Sequence, residues 1–126
     1  MDSPIRPSLI LAIIKEESHG KIDFIGPKNT YGLMGVSKEV AQDYIKSMYA
    51  GATDALTMYD IYSIPYTNML VGSWWLKQLM TIFTEEKEAI RAYDVGIDVA
   101  KRTTIEGDRY MKQVYKHEQE IVKQWK

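Results

Sequence analysis

The chain has no cysteine, four prolines and two histidines among its 126 residues. Without cysteine there can be no disulfide, no thiolate nucleophile and no zinc–thiolate site. The histidines stand alone at positions 19 and 117, so HExxH and related ligand spacings are missing and no metal is expected. P-loop, GxSxG and dinucleotide fingerprints are absent as well, and no cofactor is expected. The formal net charge of −1 offers no bulk attraction to nucleic acid or to an acidic membrane surface. No stretch approaches the ~20 apolar residues of a membrane span, so insertion is not expected. The apolar run Leu9–Ile14 follows Arg6 somewhat as an export signal would. It is only six residues long, however, and leads straight into Lys15-Glu16-Glu17 without a small-residue cleavage site. It reads as a helix of the mature fold, so delivery outside the cytoplasm would need another route or a trimmed leader.

Hydrophobic residues make up 45% and charged residues 26%, which is ordinary globular usage. The length predicts one domain over residues 1–126, with a core that needs no staples. The spacing predicts an all-α chain. Ser8 is the expected cap of a first helix that Gly20 ends. Residues 21–36 read as one long ordered loop with room for a short extended pair. Ser37 is expected to cap a second helix reaching Tyr49, with Val40, Ala41, Tyr44, Ile45 and Met48 on one face and Gly51 as its stop. A short helix is expected over Asp54–Tyr62, stopped by Pro65. A long one follows over Thr67–Phe83, with Leu70, Trp74, Leu76 and Met80 as its apolar side. Thr84 with Glu85-Glu86 marks another start, and Gly96 breaks that helix. The segment Ile97–Thr104 is ambiguous. A last helix runs over Asp108–Gln124, carrying Tyr110, Val114 and Ile121 and followed by Trp125.

The first helix carries two adjacent acids. At about 100° per residue, Ile10, Ile13 and Ile14 share one side, and Glu17 falls near the middle of that stripe. Glu16 projects about 100° further round, toward the edge or solvent. A carboxyl aimed at apolar surroundings finds a partner or resists ionisation, and the second condition suits a general acid near neutral pH. Taken alone, a boundary glutamate that snorkels outward is the plainer reading. The nine Tyr, three Trp and two Phe suit a sugar-binding groove, although helix packing explains any single one of them as well.

The order of segments is more specific than any single residue. Ile14-Lys15-Glu16-Glu17-Ser18 comes first, then Gly32-Leu33-Met34-Gly35-Val36. Asn68 through Gly72 to Leu76 and Leu79 follows, then Ala89-Ile90-Arg91-Ala92-Tyr93-Asp94-Val95-Gly96, and finally Tyr110 with Val114. This series resembles the soluble lytic transglycosylase domain family, which shares the goose-type lysozyme-like α-helical fold and cleaves peptidoglycan. The resemblance implies that Glu17 is the catalytic acid and that Ser18, Tyr31, Gly32, Leu33, Met34, Tyr93 and Asp94 meet substrate. Tyr93 would orient the acid, while Asn68 and Gly72 would stand behind the groove as structural residues. Three departures stand out. Gly35 replaces the usual Gln after Gly-Leu-Met, Asp94 replaces the usual Asn after Ala-Tyr, and the loop before Gly32 lacks the Asn-Pro-x-Ala wording.

The chemistry implied is cleavage of the MurNAc–GlcNAc bond with formation of a 1,6-anhydro ring, using one carboxyl twice. Hydrolysis, as in a lysozyme of the same fold, would need a second carboxylate, for which Asp23, Asp94 and Asp54 are the candidates. A peptidoglycan-holding module with little turnover and a plain helical adaptor are readings of other classes. The expected partner is the peptidoglycan glycan strand of the bacterial envelope. A domain of this size fits a phage particle, an envelope-spanning secretion machine or one part of a longer chain.

Overall fold

The computed structural model describes residues 4–49 and 57–125. Among these, seven helices and one two-stranded hairpin are present: α1 (Pro7–Ser18), β1 (Thr30–Tyr31), β2 (Val36–Ser37), α2 (Lys38–Tyr49), α3 (Met58–Ser63), α4 (Pro65–Ile82), α5 (Glu86–Val95), α6 (Ile97–Arg102) and α7 (Asp108–Gln124). The all-α expectation holds, and the hairpin is the extended pair foreseen in the long loop. The chain divides into two compact units, Met1–Glu16 with Trp75–Lys126, and Glu17–Trp74.

In the first unit the buried apolar residues of α1 are Leu9, Ala12, Ile13 and Ile14. This differs from the expected stripe. Ile10 is only half-buried, and the buried arc extends toward Leu9 and Ala12, so that Glu16 as well as Glu17 falls within its span. Glu16 is therefore not a free surface acid. Its Oε1 lies 2.9 Å from His117 Nε2 on α7. Ser8 does not cap the helix, because its hydroxyl donates to Glu118 Oε2 at 2.6 Å. Instead the Arg6 carbonyl accepts the Leu9 amide at 3.0 Å.

Helix α5 packs on α6 and α7 and buries Ala89, Ile90, Arg91 and Ala92. Its cap is Glu85 rather than Thr84, with Glu88 Oε1 accepting the Glu85 amide at 3.0 Å, so the start lies one residue later than expected. The ambiguous segment is the six-residue helix α6. Helix α7 has its expected bounds, but Met111 and Val114 are its buried residues, and Trp125 just beyond it is 57% exposed.

In the second unit Val36, Ala41, Tyr44, Ile61 and Val71 form the core cluster. The Tyr44 ring meets Trp74 edge-on, with centroids 5.3 Å apart, a favourable quadrupolar arrangement. Ser37 caps α2 as expected, accepting the Val40 amide at 3.2 Å. Gly51 and Asp54 lie outside the described residues. Helix α3 begins at Met58, after Thr57 and Asp60 exchange two hydrogen bonds of 3.1 Å in a capping box. Pro65 does separate α3 from the next helix, but as the first residue of α4, where its missing N–H costs nothing. The buried residues of α4 are Asn68, Val71 and Gly72 in this unit and Leu76 and Leu79 in the first, while Leu70, expected among them, is 45% exposed. No helix among the described residues is long and apolar enough to cross a membrane.

The first unit is also tied by charge. Arg6 bonds Glu86 through two contacts of 2.8 Å and Glu118 at 2.6 Å and 3.0 Å, and the Tyr115 hydroxyl donates to Glu86 at 2.8 Å. Hydrogen bonds from Arg6 hold both carboxyls below the ordinary glutamate value of 4.5. Burial first, then the bond to Glu86, pushes the Tyr115 phenol well above its usual range. A carboxyl held low in the folded state contributes stability above its unfolded pKa, and that contribution is lost as pH falls through the folded value. Arg6→Met is thus expected to cost roughly 1 kcal/mol near neutral pH, because the guanidinium is partly solvated. The difference from wild type should shrink steadily below pH 4.5, as measured by thermal melts over an acid series. A difference that grew with acid would contradict it.

Candidate active site

Glu17 is the penultimate residue of α1 and is half-buried. The helix stops just beyond it, because His19 and Gly20 adopt left-handed backbone with φ of +56° and +84°. Ser18 is fully buried. Its hydroxyl donates to the Leu33 carbonyl at 2.9 Å and accepts the Gly20 amide at 3.2 Å. The end of the helix is thereby pinned to the loop that faces it.

That loop is a tight hairpin. Thr30 pairs with Ser37 and Tyr31 with Val36, and Ile25 bridges to Tyr31 on the other side. The connection Gly32-Leu33-Met34-Gly35 is a β-turn closed by the Gly35 amide on the Gly32 carbonyl at 3.2 Å. Its two ends are left-handed, with φ of +77° at Gly32 and +62° at Gly35, a conformation that glycine adopts without strain.

Asn68, near the start of α4 and only 1% exposed, holds this turn from beneath. Its Oδ1 accepts the Met34 amide at 2.8 Å, and its Nδ2 donates to the carbonyls of Tyr31 at 2.8 Å and Ile61 at 2.9 Å. Both amide hydrogens are used, so the group is buried without an unmet donor. Gly32 is required beside it, because a Cβ there would meet the Asn68 side-chain amide and stand 2.9 Å from the Tyr62 carbonyl.

Gly35 is crowded by a different neighbour. A Cβ at this position would collide with the Glu17 carboxyl, meeting Oε1 and standing 2.8 Å from Cδ and 3.3 Å from Cγ. The carboxyl therefore lies directly against the turn, in the space that a side chain at position 35 would fill. Beside the turn, Tyr31 stacks on Tyr62 with ring centroids 4.1 Å apart and planes at 28°. Burial, then Tyr31 and the charge of Glu39, raise the Tyr62 phenol above its ordinary pKa of 10.0.

The residues singled out from the sequence separate clearly. Glu17, Tyr31 and Leu33 are half-buried and keep accessible surface, whereas Ser18, Gly32 and Met34 are buried and form the support. The Met34 sulfur lies 3.7 Å from the Ser73 hydroxyl. Tyr93 and Asp94 lie on α5 in the other unit, both half-buried. Asp23 is exposed in the loop. The Tyr62 stack escaped the sequence reading, since nothing in the spacing of residues 31 and 62 pairs them. Among the described residues no three acids or histidines are gathered so as to hold a metal ion. A separate open cavity of about 570 Å³, lined by Phe83, Glu88 and Arg102 among others, contains none of the site residues expected from the sequence.

A family model described as Transglycosylase SLT domain matches residues 2–118. No curated protein matches the chain.

Removing the amide clamp should be costly. Asn68→Ala leaves a buried amide and two carbonyls without partners, and a loss of at least about 3 kcal/mol is expected for three groups at about 1–3 kcal/mol each. Asn68→Asp should do no better, because it keeps an acceptor for Met34 but turns a charged oxygen toward two carbonyls. Urea titration of both variants checks this, and a change under about 0.5 kcal/mol would remove the clamp from the account.

Proposed function

The chain belongs to the transglycosylase SLT domain family, whose type of function is peptidoglycan cleavage, and we propose that Glu17 is its catalytic acid. The observation that carries the reading is the position of the Glu17 carboxyl. It is half-buried at the end of an apolar helix and seated against a turn whose backbone is fixed on both sides.

In the proposed reaction the protonated Glu17 carboxyl donates to the glycosidic oxygen between N-acetylmuramic acid and N-acetylglucosamine. The C1–O bond of the muramyl residue breaks, and the N-acetylglucosamine leaves with a free 4-hydroxyl. The carboxylate then takes the proton from the muramyl 6-hydroxyl as its oxygen closes on C1, which forms the 1,6-anhydro ring and restores the acid. No water is consumed, and one carboxyl serves both steps. A hydrolytic route would call on a second carboxylate to activate water or attack the sugar. The Tyr31 ring, braced by Tyr62, offers an aromatic face for a pyranose, and Leu33 is the accessible apolar residue of the turn. Tyr93 and Asp94 are carried by the resemblance as further substrate contacts. The substrate implies action at the bacterial envelope. Delivery by a virion, a secretion system or a trimmed leader, and assembly with such a machine, belong to the same proposal.

Glu17→Gln should abolish release of muropeptides from purified sacculi while leaving the helical circular-dichroism signal intact. Glu16→Gln should digest nearly as wild type does, because an amide still bonds His117. Product masses decide the chemistry, since anhydro-muropeptides are one water lighter than hydrolysed ones. Full activity in Glu17→Gln would sink the assignment, and binding of sacculi without release of product would favour a holding module.

A further inference from the structure

We infer that Gly35 is a positioning residue for the reaction: the absence of a side chain there creates the seat in which the Glu17 carboxyl rests. The inference builds on the reading of Glu17 as the acid and concerns what sets its place.

The two glycines that end the turn are alike in backbone and unlike in what surrounds them. At Gly32 an added Cβ would meet a buried, triply bonded amide and a main-chain carbonyl. Neither can move, so that glycine serves the fold. At Gly35 the nearest atoms are Oε1, Cδ and Cγ of Glu17, the far end of one side chain rather than main chain. A side chain at 35 would therefore displace the acid and leave the turn standing. The turn itself is well held, by its own Gly35–Gly32 bond and by Asn68 on the Met34 amide and the Tyr31 carbonyl. The carboxyl is thus placed against rigid backbone on this side, which favours one position of the donor oxygen relative to a bound sugar.

The sequence departure at Gly35 takes on a second meaning. Read from the sequence alone, the position lacks a sugar contact. Read from the structure, the vacancy is occupied by the reacting group. These two meanings predict different outcomes for Gly35→Gln. If only a sugar contact were missing, glutamine would lower KM and leave kcat intact. If the seat is what matters, both Gly35→Ala and Gly35→Gln lower kcat by on the order of tenfold to a hundredfold, with little change in KM, as misplacement of a catalytic group does.

The test measures kcat, KM and the pH–rate profile of wild type, Glu17→Gln, Gly35→Ala and Gly35→Gln on soluble peptidoglycan strand fragments. The alkaline limb of the profile, where the Glu17 carboxyl loses the proton it must donate, should shift in both position-35 variants, because the carboxyl leaves its seat. Gly20→Ala gauges backbone strain alone: φ is +84° and no atom lies within 4 Å of the added Cβ, so its loss of melting temperature is that of a left-handed residue without a collision. A melting-temperature cycle keeps the inference testable even if the position-35 variants lose stability. Truncating the acid should relieve the collision, so the double variant Glu17→Ala with Gly35→Ala should melt higher than the two single losses added together. An inactive wild type, or an active Glu17→Gln, would overturn the assignment of the acid. An active wild type and dead Glu17→Gln, with Gly35→Ala at wild-type kcat and pH profile, would overturn this inference alone, as would additive melting losses.

Discussion

One primary amide, the side chain of Asn68, carries much of the order in the Glu17–Trp74 unit. A loop rich in glycine has little apolar surface of its own to bury and loses much backbone freedom when it becomes ordered. Its polar main chain must also find partners wherever water is excluded. Asn68 answers both demands from one buried point, bonding strand β1 through Tyr31, the turn through Met34 and the end of helix α3 through Ile61. The Ser18 hydroxyl makes the complementary tie, from helix α1 to the Leu33 carbonyl. The turn is thus held at successive residues by groups that never reach the surface, which leaves Tyr31, Leu33 and the Glu17 carboxyl as the accessible members.

This is a division of labour that residue type makes intelligible. Buried members of the motif are small or singly polar, and each spends its polar atoms on the protein. Accessible members carry a ring, an isobutyl group and a carboxyl, the kinds of group that meet a sugar. A rigid support beneath a small accessible set is the general requirement for precise placement of a reacting group.

Much of the fold was legible in the sequence, and the failures have physical causes. The bounds of α7, the Ser37 cap and the extended pair in the loop follow from local signals that tertiary packing reinforces. The stripe on α1 shifted because six consecutive apolar residues leave the direction of burial open, and partners distant in sequence decide it. The same openness made Glu16 look like a surface acid, when His117, 101 positions away, receives it. Thr84 lost the cap of α5 to Glu85 because Glu88 bonds the Glu85 amide, an exchange the residue types alone leave ambiguous. For the site, the order of motifs carried the resemblance and named Glu17. It could not show that Ser18 and Met34 turn inward, or that Gly35 abuts a carboxyl, because burial and side-chain contact across a turn have no signature in spacing.

The reach of the Asn68 bonds also bears on how the chain folds. They join residues 34 and 37 positions apart, whereas the turn itself spans four. The hairpin can flicker into shape early, but its main-chain groups stay unmet until the first turn of α4 exists to receive them. During synthesis from the N-terminus, Glu17 and the whole of the loop emerge well before Asn68 does. The acid is thus made well before its support, and the turn against which it rests becomes fixed only once Asn68, 51 positions after Glu17, has been produced. Ordering of this loop is a late, long-range event, although its most visible feature is a local glycine turn.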